Sequence, residues 1–341
     1  MRELGFAAAI EEALCQAMDE DERIVMFGED VAGLRMNLYA RFGERRVRPA
    51  PISDSAFLGA AVGAAMAGLR PVVEIMLIDF LPVAADALVN QAAKIETFSG
   101  GRWQVPMVVR AACGGGYGDG GQHEQALWAW LAHIPGLRVV VPSTPADAGG
   151  LLLGALEDGG PVIYLEHKLL ADYWRDYLGS GGRPTVSYDV PETGQSGPVP
   201  DTWAPIPLGR SVTRREGTDL TMVSVGVGVH RAIEAADRLA AEQGIQSGVI
   251  DLRSVQPLDR EAVCDAVARS GRLLVVDEDY RDFGLSGELA AAVLESGLQA
   301  RFARVCVEST IPYDQRRERH VLPNVDRILS AAVSLLKVRS A

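Results

Sequence analysis

Apolar residues recur along the chain with two alternating periods. Phe6, Ile10, Ala13 and Leu14 share one face of a 3.6-residue helix, and "RIVMFGED" after them is an apolar run closed by Gly and acids, as in a buried strand. The alternation continues. "SAFLGAAVGAAMAG" predicts a buried helix, "RPVVEIML" a strand, "PVAADALVNQAAKIETF" a helix, "VPMVVRAA" a strand, "ALWAWLAHI" a helix, "RVVVPS" a strand, "PADAGGLLLGAL" a helix and "PVIYLE" a strand. Strands that are apolar throughout and separated by helices are buried on both faces, so the fold class is α/β, with mostly parallel sheets covered by helices on either side. The pattern stops between Pro184 and Pro207, where six prolines fall in 24 residues. It resumes with "DLTMVSVG", "VHRAIEAADRLAAEQ", "QSGVIDLRSV", "DREAVCDAVARS", "RLLVVDED", "SGELAAAVLESG" and "RFARVCVE". Two domains are expected, 1–175 and a smaller one at 208–341, joined by a Pro/Gly-rich linker at 176–207 that lies over a surface.

The formal net charge of −12 narrows the partners. The densest basic stretches, "FGERRVR" and "DQRRERH", are short and interrupted by acids, which argues against nucleic acid. No apolar run approaches the roughly 18 residues of a membrane span, and "MRELGFAAAIEEAL" has acids where a signal peptide needs an unbroken apolar core. Cys15, Cys113, Cys264 and Cys306 are far apart and form no CxxC pair, which points to a reducing compartment and away from zinc. The chain reads as soluble and cytoplasmic.

Two glycine-rich segments and one acid stand out as candidate chemistry. "SVGVGVHRAIEAAD" sets Gly226 and Gly228 at a strand-to-helix turn with Asp251 ending the next strand, the outline of a dinucleotide fingerprint. Arg231 holds the place of the third glycine, so an ordinary tight turn is the better reading. "AACGGGYGDGGQHEQ" is a long loop whose glycines can bring peptide groups close to a ligand and hold His123 at the mouth of a cleft. Of the five histidines, His123 alone follows such a loop, and imidazole suits proton transfer at neutral pH. Asp54 lies between "RVRPAPIS" and the small-residue helix, either as a helix cap or as an acid set deliberately at a site.

The segments "FGEDV", "RFGERRV", "PISDSAFLGAAVGAAMAGLRPVVEIM", "DALVNQAAKIETFSGG", "HIPGLRVVVPSTPADAGGLL", "PVIYLEHKLL", "PLGRSVTRREGTDLTMVSVG" and "VIDLRSVQPLD" give the chain a resemblance. It is similar, over nearly its whole length, to the beta subunit of the thiamine-diphosphate-dependent decarboxylating component of 2-oxo acid dehydrogenase complexes, a family that includes pyruvate, branched-chain and acetoin enzymes. The resemblance implies a pyrimidine-binding domain followed by a transketolase C-terminal domain. It also implies a cofactor shared between chains, with the aminopyrimidine on this one and the diphosphate and Mg²⁺ on an alpha subunit in an α2β2 assembly. Gly118-Asp119-Gly120 imitates the first half of the diphosphate motif, but the only asparagines are Asn37, Asn90 and Asn324, so the second half is absent.

The resemblance assigns Asp54 to protonating a ring nitrogen of the aminopyrimidine, which favours the tautomer that deprotonates the thiazolium carbon. That work calls for a dry pocket, which the helix after Asp54 and a strand ending at Phe80 are expected to provide. Met76 and Phe80 match cofactor-ring contacts, plain core packing being the other reading of Phe80. His123 matches the histidine that orients or protonates substrate and meets the lipoyl group. Met107, Ala155, Asp158 and Gly160 match a potassium site. Four features depart from the family: Asp54 stands for glutamate, Glu124 for serine and Val83 for glutamine, and the segment between "GEDV" and "RFGERR" is short. The expected activity is acyl transfer from a 2-oxo acid to a lipoyl-bearing acyltransferase. A thiamine-diphosphate carboligase with an aldehyde or carrier-bound acceptor, and a non-catalytic partner of an alpha subunit, stay open as alternatives.

Overall fold

The computed structural model describes residues 2–171, 174, 191 and 193–337. Strand β1 (Arg2–Gly5) leads into helix α1 (Phe6–Glu20), followed by β2 (Ile24–Glu29), β3 (Val47–Ala50), helix α2 (Asp54–Met66), β4 (Arg70–Leu77), β5 (Met107–Cys113), β6 (Arg138–Val140), helix α3 (Pro145–Glu157) and β7 (Pro161–His167). After the linker come β8 (Ser196–Val199), β9 (Val212–Arg215), β10 (Leu220–Ser224), helix α4 (Val227–Gln243), β11 (Ser247–Asp251) and β12 (Ser254–Gln256). Helix α5 (Arg260–Ser270), β13 (Arg272–Tyr280), helix α6 (Leu285–Glu295), β14 (Arg301–Val307), helix α7 (Gln315–Val321) and helix α8 (Val325–Lys337) complete the main elements.

The first sheet has the order β12-β6-β7-β5-β4-β2-β3 and the second β14-β13-β10-β11-β9. Every pairing is parallel except those of the edge strands β12 and β9. Each residue of β5 and β7 is buried, as apolar strands between two helical layers must be. On one face Phe6, Ile10, Leu14 and Met18 of α1 pack with Leu151 and Leu152 of α3. On the other, Phe57, Leu58 and Val62 of α2 join Val109, Ile163 and Leu165, and this cluster runs on through Val223, Ile250 and Val275. Each of these large side chains contributes roughly 1.5–3 kcal/mol of burial, and the shared cluster ties the two halves together. No described helix is long and apolar enough to cross a membrane.

Four features differ from the sequence reading. The second half gives a strand to the first sheet, with Ser254 of β12 opposite Val140 of β6. In the 176–207 segment, residues 176–190 lie outside the described residues, but β8 pairs with β1, and Trp203 is buried with its indole N–H donating to Glu12 Oε1 at 2.8 Å. A Cβ on Gly149 would lie 2.2 Å from that ring, so Trp203 is fitted into α3 and this part of the linker is core. "PVAADALVNQAAKIETF" forms no single helix: a 3₁₀ turn at Ile78–Ala84, a π turn at Asp86–Ala92 and a short helix Ile95–Phe98 replace it. Pro82 has no N–H to give to a regular ladder there. Finally, α2 is buried on one face only, with Ser55, Ala56, Gly59, Ala60 and Gly63 exposed.

Candidate active site

The candidate residues gather where the parallel strands end, which is where an α/β sheet places ligands. β3 runs through Pro51 and Ile52 to Ser53, whose carbonyl accepts from Ala56 and Phe57 N–H and so starts α2 with Asp54 as its first residue. The Ser53 side chain makes no capping bond. The Ser55 hydroxyl donates to the Val83 carbonyl at 2.5 Å, which ties this helix start to the turn carrying Phe80. Asp54 is half-buried rather than dry, and exposed Ile52 and Val83 flank it. Glu29, the last residue of β2, adds a second acid: burial and the charges of Asp30 and Asp54 raise its carboxyl above the ordinary value.

β4 ends at Leu77, so Phe80 belongs to the 3₁₀ turn and not to the strand, while Met76 is the last residue but one of β4. Both are half-buried and pack against the core. Phe80 meets the His123 ring edge-on, with centroids 5.6 Å apart and planes at 85°, so the fold joins two residues 43 positions apart. Beside Phe80, Asp79 Oδ1 accepts from the backbone N–H and side-chain amide of Gln125 at 3.2 and 2.9 Å. Asp79 Oδ2 is buried without a partner, and burial raises this carboxyl.

The glycine loop is held by carboxylates. Gly115 N–H donates to Glu278 Oε1, Gly116 N–H to Glu318 Oε1, Tyr117 N–H to Glu124 Oε1 and Gly120 N–H to Glu124 Oε2, at 2.8, 2.8, 2.7 and 3.1 Å. Gly114 has φ +88°, and a Cβ there would lie 2.0 Å from His167 Nε2, so only glycine lets β5 turn past β7. Lys168 Nζ, just after β7, donates to the His123 carbonyl at 2.6 Å and lies 5.1 Å from the Tyr117 ring centroid. The loop's far end is fixed by the run at the end of β13. Trp128 Nε1–H donates to Asp277 Oδ1, Ala129 N–H to Asp279 Oδ2 and the Tyr280 hydroxyl to Gln125 Oε1. In the sequence, "RLLVVDED" reads only as a strand, and Glu278, Glu318, Lys168 and Glu29 carry no motif that singles them out. The available signal was a run of acids closing an apolar strand, since charges at that place are either paired or functional.

The other candidates separate clearly. Met107 opens β5, Ala155 is in the last turn of α3, Asp158 caps that helix and Gly160 precedes β7, so the four share one corner. The unsatisfied carbonyls of a helix end suit a cation. The Asp158 carboxylate is already engaged, Oδ1 by Gly160 N–H and Oδ2 by Arg138 Nε, each at 2.8 Å. At the dinucleotide-like turn, Asp251 accepts from Ser143 and Arg214, and Arg231 is buried against Glu278. The acid and the helix start of that motif are committed to structure.

Two family models match the chain: "Transketolase, pyrimidine binding domain" over residues 2–172 and "Transketolase, C-terminal domain" over 209–328. Among curated proteins, the chain is 37% identical to the acetoin:2,6-dichlorophenolindophenol oxidoreductase subunit beta of Cupriavidus necator, over 98% of each chain. It is 36% identical to the 2-oxoisovalerate dehydrogenase subunit beta of Bacillus subtilis, over 97% of this chain and 98% of that one. A solved structure described as a split-gene transketolase, inactive beta4 tetramer, matches with a TM-score of 0.77 over 99% of both chains; at 22% identity it bears on the fold alone. Family models and relatives agree, and the chain belongs to the transketolase-like family of thiamine-diphosphate-dependent 2-oxo acid dehydrogenase beta subunits.

Proposed function

We propose that this chain forms, with a separate alpha subunit in an α2β2 assembly, the decarboxylating component of a 2-oxo acid dehydrogenase that passes an acyl group to a lipoyl-bearing acyltransferase in the cytoplasm. The observation that carries this is the meeting of Phe80 and His123 beside the start of the Asp54 helix, at the carboxyl ends of the central strands. The half-exposure of Asp54, rimmed by Ile52 and Val83, supports a site completed by another chain, whose surface would exclude water. The four cysteines are all free, in keeping with a reducing compartment.

The residues fit the aminopyrimidine half of thiamine diphosphate. Acids crowd at Glu29 and Asp54, and the Asp79 oxygen beside Phe80 has no partner, so a ring with basic nitrogens and an amino group matches the acceptors present. When bound, the cofactor supplies the carbanion chemistry that lets a 2-oxo acid lose carbon dioxide, with its diphosphate and Mg²⁺ on the alpha subunit. Asp54 holds a proton at a ring nitrogen. Phe80 and Met76 pack against the ring and keep water from it. His123, held by its ring contact and by Lys168 on its carbonyl, orients substrate and delivers a proton to it. A potassium ion at Met107, Ala155, Asp158 and Gly160 would be held by backbone carbonyls, since the Asp158 carboxylate is taken; equal melting in K⁺ and Na⁺ would remove it.

The test is calorimetry with reconstitution. The purified chain alone should show no micromolar Mg²⁺-dependent binding of thiamine diphosphate, and binding with 2-oxo acid decarboxylation should appear on adding the alpha subunit. Tight binding by the chain alone would overturn the two-subunit reading. Turnover only with an aldehyde acceptor would replace dehydrogenation by carboligation.

A further inference from the structure

We propose that Glu124 is the positioning residue of His123: its carboxyl group gathers the N–H groups of Tyr117 and Gly120 and fixes the loop that presents His123 to Phe80. This inference rests on the assignment of His123 as the proton-handling residue.

His123 is half-exposed and Glu124 is fully buried, so adjacent side chains leave the backbone on opposite sides, one toward the cleft and one into the protein. Glu124 spans the loop, accepting from Tyr117 with one oxygen and from Gly120 with the other. Four glycines of this loop, Gly114, Gly116, Gly118 and Gly120, have positive φ, so its own backbone preferences do not hold it and these bonds must. Glu318 enters from α7 and takes Gly116 N–H, next to the Tyr117 N–H that Glu124 holds.

Lys168 brings a positive charge to the end of β7, where Glu124, Asp79 and Glu318 all act on it. Glu278, the third acid holding this loop, is matched by His167 and Arg231. Burial first, then Glu318, pushes the Glu124 carboxyl up to about 9.

The test is nuclear magnetic resonance of the full-length chain labelled with ¹⁵N-histidine, reading the His123 backbone N–H at one fixed pH, with the signal assigned by its loss in His123→Gln. Glu124→Ala removes both acceptors and should displace the signal from its wild-type position. Glu124→Gln keeps one acceptor oxygen of the two and should displace it less. Equal displacement in the Gln and Ala variants would overturn the proposal, as would an unmoved His123 signal in folded Glu124→Ala. These readouts need no turnover, so a His123→Ala enzyme of normal activity would remove the catalytic assignment and not the clasp, whereas the resonance results above would remove the clasp and leave the assignment standing.

Discussion

Glu278→Gln should weaken the junction between the two halves and loosen the His123 loop with it. Glu278 is fully enclosed, with Oε1 accepting from Gly115 N–H and facing His167 Nε2, both at 2.8 Å, and Oε2 accepting from Arg231 at 2.6 Å. Burial alone would raise this carboxyl. The neighbouring His167 and Arg231 and the bonds from His167 and Gly115 outweigh burial and push it down from an ordinary 4.5 to about 2. Burial holds His167 below its own ordinary value, so near pH 7 Arg231 is the lasting counter-charge. A depression of this size corresponds to about 2–3 kcal/mol once the neutral state of His167 is allowed for. Removing one partner of a buried ion pair costs about 3–5 kcal/mol, so the two routes meet near 3.

The sign fixes the pH window. Below about 4.5 the unfolded chain takes up a proton that folded Glu278 refuses until about 2, so its contribution is complete above 4.5 and is lost as the pH falls toward 2. Urea unfolding followed by tryptophan fluorescence should therefore show the Gln variant about 3 kcal/mol less stable at pH 7, with the gap narrowing below pH 4.5. His167, depressed by burial, costs both proteins stability as the pH falls below its unfolded value near 6.5, and costs the variant more because it lacks the carboxylate that raises His167, so the gap should widen between about 6.5 and 4.5 before it narrows. A gap under about 1 kcal/mol at pH 7, or one that stays constant down to pH 3, would refute the ion-pair argument.

The remaining expectations concern the site and one strained acid. His123→Ala should slow turnover of the reconstituted enzyme by about 10²–10⁴-fold with cofactor affinity nearly unchanged; turnover within a few fold of wild type would make His123 structural. Asp54→Asn should cost orders of magnitude in deuterium exchange at the thiazolium carbon, while Asp54→Glu, restoring about 1.5 Å of reach, should be mild or activating. Normal exchange with a lowered melting temperature in Asp54→Asn would make Asp54 a helix-start residue only. Asp277, which holds Trp128 and is pushed up to about 7 by burial and then by Asp279, costs increasing stability as the pH rises from about 4 to 7. Asp277→Asn should therefore melt higher than wild type at pH 8 and show little advantage at pH 4; equal melting at pH 8 would contradict the shift.

What the sequence disclosed and what it withheld follow from the range of the interactions involved. The apolar runs of β5 and β7 and the helix faces of α1 and α3 are local periodicities, and burial on both sides turns them directly into a parallel sheet. The family resemblance assigned Phe80 and His123 to one site, but their ring contact was not legible, because 43 residues separate them and nothing in either segment points to the other. Trp203 was read as linker because six prolines dominate its neighbourhood, whereas one indole fitted against Gly149 decides where that stretch lies. The loop's restraints were the least legible. "AACGGGYGDGG" reads as flexible by composition, yet its N–H groups are answered by carboxylates at positions 124, 278 and 318. Each of those acids is unremarkable in its own stretch, and each is costly to bury unless it receives such bonds. Glycine freedom is what makes the geometry possible: a loop that can turn its peptide groups inward can accept distant carboxylates as its scaffold. The same freedom leaves His123 ordered only while those acids keep their partners, so the position of the catalytic candidate depends on residues well over a hundred positions away in the chain.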